Sequence, residues 1–390
     1  MVNARKRALV IGFRRWRAWN LGPILRAAAD PVVFVRDVAA ARAMNPGPGD
    51  AIMVWGAARP AGLDDLIAQT GARLVRIEDG FIRSVGLGSD LIAPRSLVFD
   101  PCGIHFDATC PSRLETLLAT HAFDAALCAR AAALRAEIVV HGLTKYNVED
   151  PAPPSWDSRG RPVVLVPGQV ESDASIAWGG GTVRTNRALL HSARTARPDA
   201  FIVYKPHPDV LSGNRHGHAA GDAQGLADHV ERRASIIACL ARADAVHTMT
   251  SLAGFDALLR GVAVVTYGAP FYAGWGLTRD CAADHPAWAR RGRRLTLDQL
   301  CAGALLLYPY YWDPQAQRPV SAEQAIAAIA SERDRLRASV DPDRLTRGFW
   351  PRQVRKGGGC WHVPSSAAAC RSIRIDASPA PATLSMPRRA

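Results

Sequence analysis

Five short stretches of this sequence carry side chains able to do chemistry, and each follows or closes an apolar run of strand length. In "RIEDGFIRSVGLGSD", Glu78 and Asp79 stand together before Gly80, and Arg83 follows. Neighbouring side chains at a strand end point to opposite faces, so one carboxylate can enter a cleft while the other caps the next turn. A plain acidic turn made tight by Gly80 is the competing reading. In "VPGQVESDASIAWGGGT", Asp173 lies between Glu171 and Ser175 on a loop. It suits a nucleophile or a base, or a cap for the turn that follows. The glycines at 179 to 181 permit close approach to a ligand and movement.

The stretch "FIVYKPHPDV" ends a strand abruptly, because Pro206 and Pro208 cannot continue helix or ladder. Lys205 and His207 are thereby held stiffly at the strand's carboxyl end. Lys205 brings a point charge suited to phosphate, and His207 can donate to phosphate or act as an acid; an edge turn with solvated side chains is the plain alternative. In "HTMTSLAGFDALLRG", Thr248, Thr250 and Ser251 stand where a strand gives way to a helix. Backbone N–H groups with hydroxyls beside them make a phosphate site there, unless they form an ordinary N-cap. The loop "YGAPFYAGWGLTRD" is dense in glycine and aromatics and has no period, which suits a binding wall. A phosphate-binding helix start, a Lys/His strand end and carboxylates in both halves describe a cleft for a nucleotide-linked sugar.

The elements that position these groups are legible as apolar runs. "ALVIGF", "PVVFV", "AIMVWG" and "RLVRIEDG" come first, and after a pause "PVVLVPGQ", "FIVYKPH", "AVHTM" and "VAVVTYG". Continuous rather than alternating apolar strands predict parallel sheets covered on both faces. The chain is expected to be α/β, with two Rossmann-like, doubly wound domains facing each other across a cleft. Residues 1–147 form the first, 148–162 a linker with four prolines, and 163–320 the second. Residues 321–340 form a terminal helix, and 341–390, rich in Arg, Pro, Ser, Ala and Gly, a disordered tail. Ligands of open α/β sheets bind at the carboxyl ends of strands, where all five stretches fall. The fold alone is equally compatible with epimerases and binding proteins.

Composition narrows the classes further. The formal charge is +13, but eight Arg or Lys and one acid, Asp376, fall from Thr346 onward, so the folded part is only moderately basic. That suits an anionic substrate or a membrane surface, and no recognisable nucleic-acid module is present. The eight cysteines show no CxxC pair and read as reduced cytosolic thiols. The basic start before "ALVIGF" imitates a signal peptide, but the apolar run is short and reads as a first strand. No apolar run reaches spanning length, so membrane contact is expected to be peripheral. "GFRRWRAW" and "RRGRR" can touch anionic lipid or simply be solvated.

Together "EDGFIRSVGLGSD", "PRSLVFDPCGIHFDATCPSRLE", "VPGQVESDASI", "YKPHPDV", "TMTSLAGFDALLRG" and "FYAGWGLTRD" resemble the KpsC/LipA family of capsule polysaccharide proteins, over about residues 8 to 335. Members usually carry two tandem transferase modules. This chain has one, and its "VPGQVESDASI" and "YKPHPDV" look more like the second. The resemblance implies a GT-B fold and a retaining β-Kdo transferase. Such an enzyme moves Kdo, an acidic keto sugar, from CMP-Kdo to a phosphatidylglycerol-linked, Kdo-terminated acceptor. It implies that Asp173 attacks the anomeric carbon to give a covalent Kdo–enzyme, and that Glu78, with Asp79 as understudy, acts near the acceptor hydroxyl. It also implies that His207-Pro208 holds the CMP phosphate and that Thr250 and Ser251 complete that site; Lys205 joins them by its charge. The sugar's own carboxylate needs a cation, for which Arg83 is the candidate, with a solvated surface arginine as the plain alternative. No DxD-type metal site is found, and no cofactor is expected beyond the donor itself. The expected setting is cytoplasmic, at the inner face of the cytoplasmic membrane, with other capsule-assembly proteins as further partners and no nucleic acid. The alternatives are an inverting transferase using another CMP- or UDP-sugar, or a non-catalytic capsule assembly or export subunit.

Overall fold

The computed structural model describes residues 7–86, 92–148, 153–207, 210 and 223–338. Pro208 and the segment 341–390 lie outside the described residues.

Each of the eight apolar runs forms a strand. β1 (Ala8–Ile11), β2 (Val32–Val35), β3 (Ala51–Trp55) and β4 (Arg73–Asp79) pair in parallel, in the order β2-β1-β3-β4. A further strand, β5 (Ser96–Asp100), joins β4 antiparallel. The second sheet holds β6 (Val163–Pro167), β7 (Phe201–Lys205), β8 (His229–Val230), β9 (Ala245–Thr248), β10 (Ala263–Thr266) and β11 (Arg279–Asp280). All its pairings are parallel, and its order is β11-β10-β9-β6-β7-β8. Every residue of β1, β6, β7 and β9 is buried, as continuous apolar strands require when helices cover both faces.

The first sheet departs from the expected all-parallel arrangement. After the second sheet the chain returns, and β12 (Pro309–Asp313) pairs antiparallel to β5, with β13 (Arg318–Pro319) beyond it. Residues 309–319, expected in the second domain, therefore belong to the first sheet. The reason is that β5 would otherwise present an open edge, and β12 covers it with buried Tyr311 and Trp312. The helix Ala322–Ala338 then packs on the first half with Ala322, Ala325, Ile326, Ile329, Ala330 and Arg333 inward, the spacing of one helix face. Arg95 holds Glu332 at 2.9 Å, and Arg130 holds Glu323 at 2.7 Å. Within the expected linker, Trp156 is buried in the core and Arg242 donates to the Pro154 carbonyl, so this segment is anchored to the second half.

One apolar cluster runs through both halves, from Phe81, Val98 and Ile104 to Val163, Leu165, Phe255 and Phe271. Two buried polar anchors fix its borders. Asp100, fully buried, accepts from the N–H groups of Cys102, Gly103 and Arg113 and from the Tyr308 hydroxyl at 2.8 Å. Glu115 accepts from Arg291 at 2.8 Å and from Arg290. Removing the Asp100 carboxylate leaves several buried donors unpaired, each costing about 1–3 kcal/mol. Asp100→Ala is therefore expected to lower stability by roughly 3–5 kcal/mol in urea unfolding, with Tyr308→Phe losing far less. Equal small losses from both would show that Asp100 is not the anchor.

Candidate active site

Both sheets have a topological switch point, where strand order reverses and a crevice opens at the carboxyl ends. In the second sheet it lies between β6 and β9, and the loops leaving them carry Gln169 and Thr250. The Gln169 amide donates to Thr250 Oγ1 at 3.0 Å and accepts the Thr250 N–H at 3.0 Å. Thr250 Oγ1 donates to Ser175 Oγ at 3.1 Å. Gln169 is itself held by Asn186, whose side chain accepts its N–H and donates to its carbonyl. This buried lattice ties the Asp173 loop to the start of the helix Leu252–Leu259.

A cavity of about 510 Å³ opens between the two halves over this lattice. It is lined by Glu78 and Asp79 from the end of β4 and by Asp173, Lys205, His207, Thr250 and Ser251 from the second half. Seven of the residues singled out in the sequence thus share one cleft. Pro208 lies outside the described residues. Arg83 does not line the cavity, contrary to expectation. It is buried behind Asp79, with Nε 2.8 Å from that carboxylate and Nη1 donating to Ser84. A guanidinium already committed to a buried carboxylate is not available to a sugar.

Several other expectations change in detail. Glu78 and Asp79 both line the cavity, although they are consecutive residues of β4, paired in register with Val98 and Leu97 of β5. Gly80 serves a close approach, since a Cβ there would lie 2.2 Å from Ser96 Oγ. The glycines at 179 to 181 do not line the cleft, and Gly180 bridges to Gly268. A Cβ on Gly181 would meet the Tyr267 carbonyl at 2.7 Å, so packing against β10's exit explains these glycines. The aromatic loop after β10 is mostly core, with Trp275 and Tyr272 buried and only Pro270 and Phe271 reaching the cleft wall.

The helix start before Leu252 is already capped. Thr250 N–H goes to Gln169, Ser251 N–H to Thr248 Oγ1, and Ala253 N–H to Ser251 Oγ. Asp173 also caps a helix, Ala174–Gly179, with Oδ1 accepting the Ser175 N–H at 2.8 Å. Among the described residues its Oδ2 accepts no hydrogen bond. Capping and chemistry are thus compatible here, because the cap orients a carboxylate whose other oxygen is spare. The buried Lys205 ammonium donates to the Ala234 carbonyl at 2.6 Å, an anchor that fixes it at the cleft.

Lys145 and His105 were not assigned roles from the sequence, yet both line the cavity. Burial disfavours the Lys145 ammonium, but Tyr146, Asp79 and Glu78 around it outweigh that and hold its pKa above the ordinary lysine value. Burial, with help from Lys145, pushes His105 down to about 3, so its ring is neutral. That ring sits edge-on to Phe81 at 4.8 Å, and its buried Nδ1 has no hydrogen-bond partner among the described residues. The sequence signal for His105 was its place in "CGIHFD"; Lys145 had none, since it lies on an irregular segment far from any motif.

Burial first, and then the Asp79 charge, push the Glu78 carboxyl up to about 7, with Lys145 opposing. A carboxyl poised there can take a proton at neutral pH. The native state holds this proton between the ordinary value of 4.5 and about 7, so Glu78 withdraws stability as pH rises through that window. Glu78→Gln is expected to raise the melting temperature at pH 8 and to leave it unchanged near pH 4. A melting temperature equally altered at both pH values would show that packing, not ionisation, dominates at this position.

Among the described residues no group of three His, Cys, Asp or Glu is placed to hold a metal ion, and no helix is long and apolar enough to cross a membrane.

Two α/β halves closing on a cleft, with charged groups at the strand ends of both, define a GT-B-like architecture. The family model described as "Capsule polysaccharide biosynthesis protein" matches residues 50–311, and the chain belongs to that family. It is 40% identical over 349 residues to the capsule polysaccharide modification protein LipA of Neisseria meningitidis serogroup A, covering 89% of this chain and 48% of that one. The chain thus spans about half the length of that relative. Two solved structures of KpsC from Thermosulfurimonas dismutans are also similar. One, a β-Kdo 2,7 transferase, is 34% identical with a TM-score of 0.67, over 84% of this chain and 99% of that one. The other, a β-Kdo 2,4 transferase, is 33% identical with a TM-score of 0.71, over 82% and 97%.

Proposed function

We propose that this chain is a β-Kdo transferase of capsule polysaccharide assembly, moving Kdo from CMP-Kdo to a Kdo-terminated, phosphatidylglycerol-linked acceptor with retention of configuration. The observation that carries the reading is the single cleft that gathers carboxylates from both halves beside Lys205 and His207. The likeness to KpsC transferases along most of the chain supports the choice of sugar.

In this reading CMP lies at the β6/β9 switch point, its phosphate against Lys205, His207, Thr250 and Ser251. The spare oxygen of Asp173 attacks the anomeric carbon, and the bond to CMP breaks with its electron pair passing to the phosphate oxygen. Lys205 and His207 stabilise that developing charge where it appears. Glu78 then takes the proton of the acceptor hydroxyl as that oxygen displaces Asp173, so two inversions give net retention. Asp79, locked to Arg83, keeps the neighbouring charge that raises Glu78. Lys145 takes the role expected of Arg83, as the cation for the sugar's carboxylate. No metal is required, because a single phosphate, not a diphosphate, is matched by protein donors. The reaction takes place at the inner face of the cytoplasmic membrane, with the lipid of the acceptor supplying the attachment, and other capsule-assembly proteins act beside it.

The test is intact-protein mass spectrometry after mixing with CMP-Kdo generated in place, for wild type and Asp173→Asn, with and without a synthetic Kdo-lipid acceptor. Wild type is expected to gain one Kdo that acceptor removes, and the variant none. Glu78→Gln is expected to keep the adduct but pass it on about 10²–10⁴-fold more slowly. Normal product from Asp173→Asn without adduct would sink the double displacement.

A further inference from the structure

The donor residues sit at the switch point of the second sheet, which leaves that of the first, between β1 and β3, to be explained. The helix Arg15–Ala28 starts there, directly after β1. Its N-cap residue is Arg14, whose side chain makes no capping bond, and its first turn holds no acid. Instead it opens with Arg15 and Arg17. Cations at a helix N-terminus oppose the helix dipole, and the uncapped N–H groups add to the local positive potential. Such an end is unfavourable by itself and favourable around an anion.

Arg17 is placed to meet one. Its guanidinium lies 4.5 Å over the ring of Trp55, 5.1 Å from that of Trp16 and 5.8 Å from that of Phe13. Trp55 ends β3 and lines the cleft. Among the described residues Arg17 forms no ion pair and its side chain donates no hydrogen bond, although the charges of Glu78 and Asp79 act on it. A guanidinium held flat on an indole keeps its edge donors for a planar, bidentate anion.

We propose that Arg17, stacked on Trp55 at the first sheet's switch point, binds the anionic group of the acceptor. The proposal rests on the transfer reaction above, in which the acceptor hydroxyl approaches Glu78 from this half. The acceptor carries two anions, a sugar carboxylate and a lipid phosphodiester, and both fit the chemistry of the site.

The experiment uses Arg17→Gln and Arg17→Lys with three synthetic acceptors: one with the sugar carboxylate but no phosphate, one with the phosphodiester but that carboxylate converted to its amide, and one with neither charge. Affinity is measured at equilibrium without donor, and KM and kcat in transfer. Arg17→Gln is expected to weaken binding of the carboxylate acceptor and raise its KM about ten- to a hundredfold, with Arg17→Lys between. The amide acceptor should bind wild type and both variants equally. If instead only a phosphodiester-bearing acceptor responds to the substitution, the bound group is the lipid phosphate. Unchanged affinity for every acceptor, or equal loss with uncharged ones, would overturn the proposal. Loss of affinity in Arg17→Gln when wild type neither hydrolyses donor nor transfers would leave this site standing and remove the transfer reading.

Discussion

The cleft depends on one stack of rings. Phe81, from just beyond β4, lies 4.4 Å from Phe271, from the loop beyond β10, with the rings nearly parallel. Phe255 and Tyr308 close around them, so residues from both halves share one apolar floor. Burying this much aromatic surface is among the larger single gains available to a fold. Because Phe81 follows the Glu78-Asp79 pair so closely, the same packing sets where those carboxylates stand relative to Asp173. The floor of the site and the join between the halves are the same atoms.

Above that floor the two carboxylates of the first half are unequally matched. Asp79 is matched by Arg83 and Glu78 only partly by Lys145, while the two acids repel each other. That imbalance is an ordinary way for a fold to keep an acid near neutrality, and it costs stability, as sites of chemistry often do. The second half is organised differently. Its polar groups satisfy one another through Gln169, Thr250, Ser175 and Asn186, giving a rigid frame on which Asp173 and Lys205 are mounted. A fixed donor frame opposite an unbalanced acid pair is an arrangement in which charge developing on a bound substrate completes the network.

The two switch points place different groups in the two halves. The second sheet has the strand order of dinucleotide-binding folds, and its crevice holds the phosphate-type donors. The first sheet orders its parallel strands as β2-β1-β3-β4, and beyond its switch point Arg17 lies over Trp55, with Phe13 and Trp16 beside them. The return of the chain through β12 and the helix Ala322–Ala338 stiffens that first half, since it closes the sheet edge and adds ion pairs through Arg95 and Arg130.

By itself the sequence determined the eight apolar strands and the groups at their ends. Buried parallel strands are continuous apolar runs, and prolines, glycines and caps mark where they stop, so Glu78, Asp173, Lys205, His207 and Thr250 were legible as strand-end residues. Local pattern carries such information because each run reports its own burial. What only the tertiary structure decided was partnership. Arg83 beside "EDG" looked available and is locked to Asp79, the triple glycine looked like a ligand loop and is packing, Lys145 carried no local signal, His105 stood in "CGIHFD" without a role, and Arg17 read only as part of a basic, aromatic stretch. Strand β12 looked like part of the second half, yet completes the first sheet. Whether a charged side chain is free, paired or stacked depends on residues tens to hundreds of positions away, and chain folding alone brings those together.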